Sequence, residues 1–169
     1  MTWRSSSTTK DRIFSSLTYI IPILEVLGLG SFLFNLIPPL ALLFIPFVPL
    51  AGIYFYNYGG LSIVQFAVFI GLFAGVVRNY KLGHLLRYNA MQALMLSIVA
   101  FLCQAVLGLL REMQVFALAG SSGMLLSSTL ASTIFLVVVS ASVYSVIQAL
   151  RGLYAEIPII SEVAHSQVR

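Results

Sequence analysis

The chain has 169 residues, 60% of them hydrophobic and only 8% charged, with a net charge of +4. A soluble domain carries about 25% charged residues, so this composition excludes a water-soluble globule and implies an all-α integral membrane protein. The scattered cations form no tract for nucleic acid, and the single cysteine, Cys103, excludes an intramolecular disulfide and a Cys/His metal cluster.

Residues 1–12 read as a short basic tail carrying Arg4, Lys10 and Arg12. The apolar stretch after it offers Pro22 and Glu25 rather than a small-residue cleavage site, which predicts an uncleaved first helix. Five apolar runs follow, at 13–30, 32–56, 61–77, 90–110 and 124–150, within a membrane domain spanning 13–151. The second run holds Pro38, Pro39, Pro46 and Pro49. Each proline removes a backbone donor and disturbs the preceding turn, and unpaired backbone is costly in lipid. The run is therefore expected to be broken and re-entrant rather than to span.

Charge placement tests that expectation. If all five runs cross, Arg4, Lys10, Arg12 and Arg111 oppose Arg78, Lys81, Arg87, Arg151 and Arg169, a split of 4 to 5 without orientation. If 32–56 returns to its own side, the split becomes 8 to 1, with only Arg111 opposite. The latter obeys the positive-inside rule. It predicts a four-helix transmembrane bundle, spans at 13–30, 61–77, 90–110 and 124–150, and both termini on the cytoplasmic-type face.

Glu25, on one helical face with Ser15, Thr18 and Pro22, is the acid inside an apolar run, and is expected to anchor at an interface or to pack against a partner. Gly71 and Gly75 have the spacing that lets another helix approach closely. Arg78, Asn79, Lys81, His84, Arg87, Asn89 and Gln92 make a basic loop rich in hydrogen-bonding side chains. Its cations suit anionic headgroups, each contributing about 1 kcal/mol, or partner subunits. Asn89 and Gln92 are expected to tie the loop to the free N–H groups that open the next helix.

In the fourth run Asn89, Ala93, Ser97, Ala100, Gln104 and Gly108 recur at helical spacing. Thr129, Thr133, Ser140, Tyr144 and Gln148 repeat the pattern in the last run. The two polar faces are expected to meet each other or a common interior, as hydrogen-bonded packing or as a polar path. Ser121 or Ser122 is the expected cap of the last helix. Residues 152–169 form a C-terminal tail in which Pro158 stops the helix and the flanking isoleucines favour docking on the bundle. No nucleophile elbow, phosphate-cradling loop, paired acid or zinc-protease motif is present, so an enzyme is not expected, and neither is a catalytic residue, metal or cofactor.

Gly75-Val76-Val77-Arg78-Asn79, then His84 and Arg87-Tyr88-Asn89-Ala90-Met91-Gln92-Ala93, resemble the central signature of the Tic20 family. Leu17 to Glu25 is similar to that family's first helix, with Glu25 where aspartate is usual, and Tyr154 to Ser161 resembles the tail of cyanobacterial-type members. The second run is more apolar than in plant members. The resemblance implies four spans, stromal termini and a subunit of a chloroplast inner-envelope import translocon contributing to a protein-conducting channel, without enzymatic activity or cofactor. The implied partners are membrane lipids, other translocon subunits or further copies of the chain, and translocating polypeptides. The short tail before the first run suits a cyanobacterial plasma membrane protein or a plastid-encoded one of the inner envelope. Read from the polar faces and Glu25 alone, an ion or metabolite transporter or a non-transporting scaffold stays open.

Overall fold

The computed structural model describes residues 8–57, 62–118, 120–158 and 160–168, so the tail with Arg4 and the terminal Arg169 lie outside the described residues. All secondary structure in the described residues is helical. Helix α1 (Thr9–Leu17) opens on a capping box, in which the Thr8 side chain accepts from the Asp11 N–H and Asp11 accepts from the Thr8 N–H. Helix α2 (Ile20–Val26), a 3₁₀ turn over Leu27–Gly30 and α3 (Ser31–Leu36) continue the same column. The helical stretch Thr9–Leu36 is 28 residues long and apolar enough to cross a membrane.

The first column thus runs past Gly30, where the sequence suggested an end. Gly30 keeps helical dihedrals, and its missing side chain makes room for two rings: a Cβ there would lie 2.7 Å from Phe34 and 2.8 Å from Phe135. The break comes at Ile37, whose φ of −129° and ψ of 79° reflect the bar on α geometry before Pro38. Pro38 and Pro39 then start α4 (Pro38–Phe44), where a missing N–H costs nothing. Pro46 caps α5 (Phe47–Tyr54). The prolines therefore divide the second run into short helices, of 7 and 8 residues in α4 and α5, too short to cross. They fold against the bundle through Phe34, Phe44 and Phe135, whose ring centroids are 5.3–5.4 Å apart.

Helix α6 (Ile63–Ile70) winds directly into a π-helical stretch, Gly71–Val77. Together these 8 and 7 residues rise roughly 20 Å, short of the ~30 Å hydrocarbon core. Helix α7 (His84–Glu112) and the stretch Ser122–Leu150 of α9 (Gly120–Leu150) are each 29 residues and long enough to cross. The described chain therefore has three long apolar helical stretches and one shorter one. A tight turn with Gln114 at φ 54° and the short α8 (Val115–Leu118) join α7 to α9. Since α9 already includes Gly120, Ser121 and Ser122 lie inside the helix and do not cap it from outside.

Helix α1 and the segment after α9 meet at one end of the bundle. A Cβ on Gly83, the N-cap of α7, would sit 3.0–3.2 Å from the Asp11 carboxyl. A Cβ on Gly152, just past α9, would sit 2.9–3.1 Å from the Arg12 guanidinium. One helix thus sets an acid against the start of α7 and a base against the finish of α9, as the helix dipoles favour. Helix α10 (Ile160–Gln167) folds back on α7, and Ala155, Ala164 and Val168 are buried, so the tail is docked.

Candidate functional site

Directly above this end lies a buried polar node. The Tyr19 hydroxyl, fully buried, stands 2.9 Å from both the Asn89 Oδ1 and the Gln92 Oε1, and its proton is shared between them. Asn89 Nδ2 donates to the Leu85 carbonyl one turn back. Gln92 Nε2 and the Tyr88 hydroxyl both donate to the Ala155 carbonyl, at 3.2 and 2.9 Å. First column, α7 and tail are therefore joined at one point. Asn89 and Gln92 do not serve the opening N–H groups of α7, as the sequence suggested. They lie one to two turns in and face the first helix, because a fully buried amide needs partners across the interface.

Tyr19→Phe is expected to leave two amide oxygens unpaired at no gain in volume, costing about 1–3 kcal/mol. Thermal unfolding in detergent, compared with Tyr80→Phe in the exposed loop, measures it.

The basic loop divides in two. Arg78 and Lys81 are exposed, and the Asn79 side chain accepts from the Lys81 N–H. Arg87, 6% exposed, turns inward: its Nε donates to the Val77 carbonyl at 2.9 Å, and its guanidinium lies 4.6 Å over the Tyr80 ring. Arg87 therefore closes the loop rather than meeting headgroups. His84 stands between Tyr154, whose hydroxyl is 2.9 Å from Nδ1, and the Val168 carbonyl, 3.2 Å from Nε2. A carbonyl only accepts, so Nε2 carries a proton, and Nδ1 shares its hydrogen bond with the Tyr154 hydroxyl. Burial raises the Tyr154 phenol, which keeps its hydroxyl protonated.

Further along α7, Ala93, Ser97 and Ala100 are buried, and Gln104 donates from Nε2 to the Glu25 carbonyl at 2.7 Å. Glu25 does not anchor at an interface. It is 4% exposed, and its Oε1 accepts from the Tyr54 hydroxyl at 2.6 Å and from Gln65 Nε2 at 2.8 Å. This carboxyl holds the broken second run and α6 against the first column.

The second polar stripe corrects an expectation. Thr129, Thr133, Ser140 and Tyr144 of α9 point outward, and Gln148, half-buried, donates to the Tyr144 hydroxyl. The face that α9 turns to the interior carries Ser127, Ala131, Phe135, Val138, Ser142 and Ser145. Phe135 decides the rotation, because its ring fills the space beside Gly30 and the Phe34–Phe44 pair. Among the described residues nothing within 4 Å would meet a Cβ at Gly71 or Gly75, so neither marks a close helix contact within the chain.

Tyr54 and Gln65 escaped the sequence reading, and Tyr19, Tyr88 and Tyr154 entered it only within the family resemblance, without a role. Their common signal is a hydrogen-bonding group within or beside an apolar run, which marks a need for a partner without naming it. Among the described residues no three His, Cys, Asp or Glu side chains group to hold a metal ion.

Comparison of the sequence with known proteins identifies the family. Residues 6–164 match the family model described as "Chloroplast import apparatus Tic20-like". A Tic20 family protein of Synechocystis sp. is 36% identical over 169 residues, covering 100% of this chain and 99% of that protein. Protein TIC 20-II, chloroplastic, of Arabidopsis thaliana is 32% identical, covering 99% of this chain and 78% of that protein. The Tic20 family protein Ycf60 of Pyropia yezoensis is 28% identical, with 93% and 75% covered. With nearly its whole length matched by the family model and by a relative of equal size, the chain belongs to the Tic20 family.

Proposed function

We propose that this chain is a membrane subunit of a protein-import or translocation complex, acting as a helical module beside the path of a translocating polypeptide. Family membership supplies the process. The single structural observation that carries the subunit role is the outward face of α9, where Thr129, Thr133, Ser140 and Tyr144 lie exposed on a helix of spanning length. The Thr129 and Thr133 hydroxyls bond back to their own helix and tolerate lipid singly, but a face that gathers these two with Ser140 and Tyr144 is better covered by protein or water than by hydrocarbon. A helix built this way is surrounded by other subunits or by a passing chain.

The module has four spans, with 63–77 as the short one, in the cyanobacterial plasma membrane or the plastid inner envelope. The termini and the basic loop lie on the cytoplasmic or stromal side. Cation placement supports that orientation: Lys10, Arg12, Arg78, Lys81, Arg87 and Arg151 flank the end where α1 and the segment after α9 meet, and Arg111 lies at the other. In a chain lacking Cys103, single cysteines at Asn57 and Leu118 are expected to react with an impermeant maleimide from one face, and one at Lys81 from the opposite face. Asn57 reacting together with Lys81 would mean that 63–77 does not cross, and a cysteine at Lys10 reacting from the same face as Asn57 would mean that the second run crosses.

A photocrosslinking residue at Thr133 or Ser140 tests the function. Adducts with an arrested precursor, in membranes engaged in transport, support the reading. Adducts only with fixed subunits make the chain a scaffold. Movement of a small solute by the purified protein, lost in Glu25→Gln, would favour a transporter, a reading for which the Glu25 carboxyl is the one observation.

A further inference from the structure

A cavity of about 690 Å³ lies between α2, α5, α6 and α7, within the ~300–1,000 Å³ range of small-molecule sites. Its walls are apolar: Ile63, Phe66, Phe69, Ile98 and Phe101. Ile63, Phe66, Ile98 and Phe101 are also exposed, so the mouth opens on the lipid-facing flank of the bundle rather than at an aqueous end. Whatever enters comes from the bilayer and is largely hydrocarbon.

The polar part of the wall is concentrated around Glu25. Its carboxyl receives two neutral donors, Tyr54 and Gln65, and both bond to the same oxygen, Oε1. Among the described residues no lysine, arginine or histidine lines the cavity. Carboxylates within a membrane pair with cations or with rows of donors, and here the chain supplies two donors on one oxygen and no positive charge. The Gln104 amide is spent on the Glu25 backbone carbonyl.

The geometry points to a binding site for a cationic amphiphile of the membrane: an alkyl or acyl chain in the phenylalanine-lined cavity, with a primary ammonium donating to Glu25 Oε2. This goes beyond the import reading and does not depend on it. The charge requirement separates such a ligand from ordinary lipid chains, which would fill the same space without preference for their headgroup.

The test uses the purified full chain in neutral detergent and two diazirine-bearing probes of equal chain length, a dodecyl amine and a dodecyl alcohol. The amine is expected to label the segments 63–69 and 98–101, about tenfold or more above the alcohol, as a charge-assisted hydrogen bond implies. Glu25→Gln, which keeps the shape and the acceptor for Tyr54, is expected to bring amine labelling down to the alcohol level. Ile98→Trp, at an exposed wall position, is expected to block both probes. Equal labelling by amine and alcohol in the unmodified chain overturns the proposal, as does amine labelling that Glu25→Gln leaves unchanged or that spreads evenly over the lipid-facing helices. The amine-to-alcohol ratio on the unmodified chain decides the matter even where Glu25→Gln does not fold.

Discussion

Replacing Gly123 by alanine is expected to destabilise the bundle by about 3 kcal/mol or more, the upper part of the overpacking range. A Cβ at this position would collide with the Phe116 carbonyl oxygen and lie 2.7 Å from its carbon and 3.0 Å from its Cα. These are backbone atoms of α8, so no rotamer change relieves the clash. The four-residue helix must move, and Phe116 leaves the buried cluster of Leu107, Ala131 and Phe135 against which it packs. Gly108 offers the control. It lies about one turn before the end of α7, inside the helix, with nothing within 4 Å of a Cβ, so alanine there is expected to be neutral or stabilising by up to ~1 kcal/mol. Unfolding in detergent followed by circular dichroism separates the two, with a fall of several degrees for Gly123→Ala and none for Gly108→Ala. Equal behaviour would mean that α8 does not seal the hairpin.

The contrast between the two glycines illustrates what periodicity could and could not report. The polar stripe of α7 was legible because its small residues, Ala93 and Ala100, alternate with Asn89, Ser97 and Gln104, while bulky side chains occupy the rest of the helix. Helix α9 has serine or threonine on two faces: Thr129, Thr133 and Ser140 on one, Ser127, Ser142 and Ser145 on the other. Hydroxyls that bond back to their own helix, as Thr133 does to Thr129 and Ser142 to Val138, suit either environment. Only Phe135 breaks the tie, through rings more than ninety positions away in the chain.

The proline-rich run was readable as broken because proline acts on its own backbone. Its packing was not, because Tyr54 reaches Glu25 across 29 residues and Gln65 reaches it across 40. The same distinction applies to Tyr19, whose partners lie 70 and 73 positions away. Local chemistry is written in a single chain; the choice among distant partners is made by packing, and one sequence does not record it.

Arg87→Ala is expected to cost about 2–4 kcal/mol, whereas Arg78→Ala and Lys81→Ala stay within about 0.5 kcal/mol. All three are cations of one loop, yet Arg87 alone is enclosed. Its removal leaves the Val77 carbonyl without its charged donor, at about 1.5–3 kcal/mol. It also deletes the stack on Tyr80, about 0.5–1 kcal/mol at a partly open site. Arg87→Lys is expected to recover only part, since an ammonium cannot both lie flat on the ring and donate sideways to the carbonyl. The consequence is local before it is global: Val77 ends the π-helical stretch, so losing its donor frees 63–77 from α7. Limited proteolysis of membranes in the 78–83 loop reads this directly, with faster cleavage for Arg87→Ala than for Lys81→Ala at equal net charge. If the two variants are cut and unfold alike, Arg87 acts through its charge at the membrane surface, and the inward geometry contributes nothing to the stability of the loop.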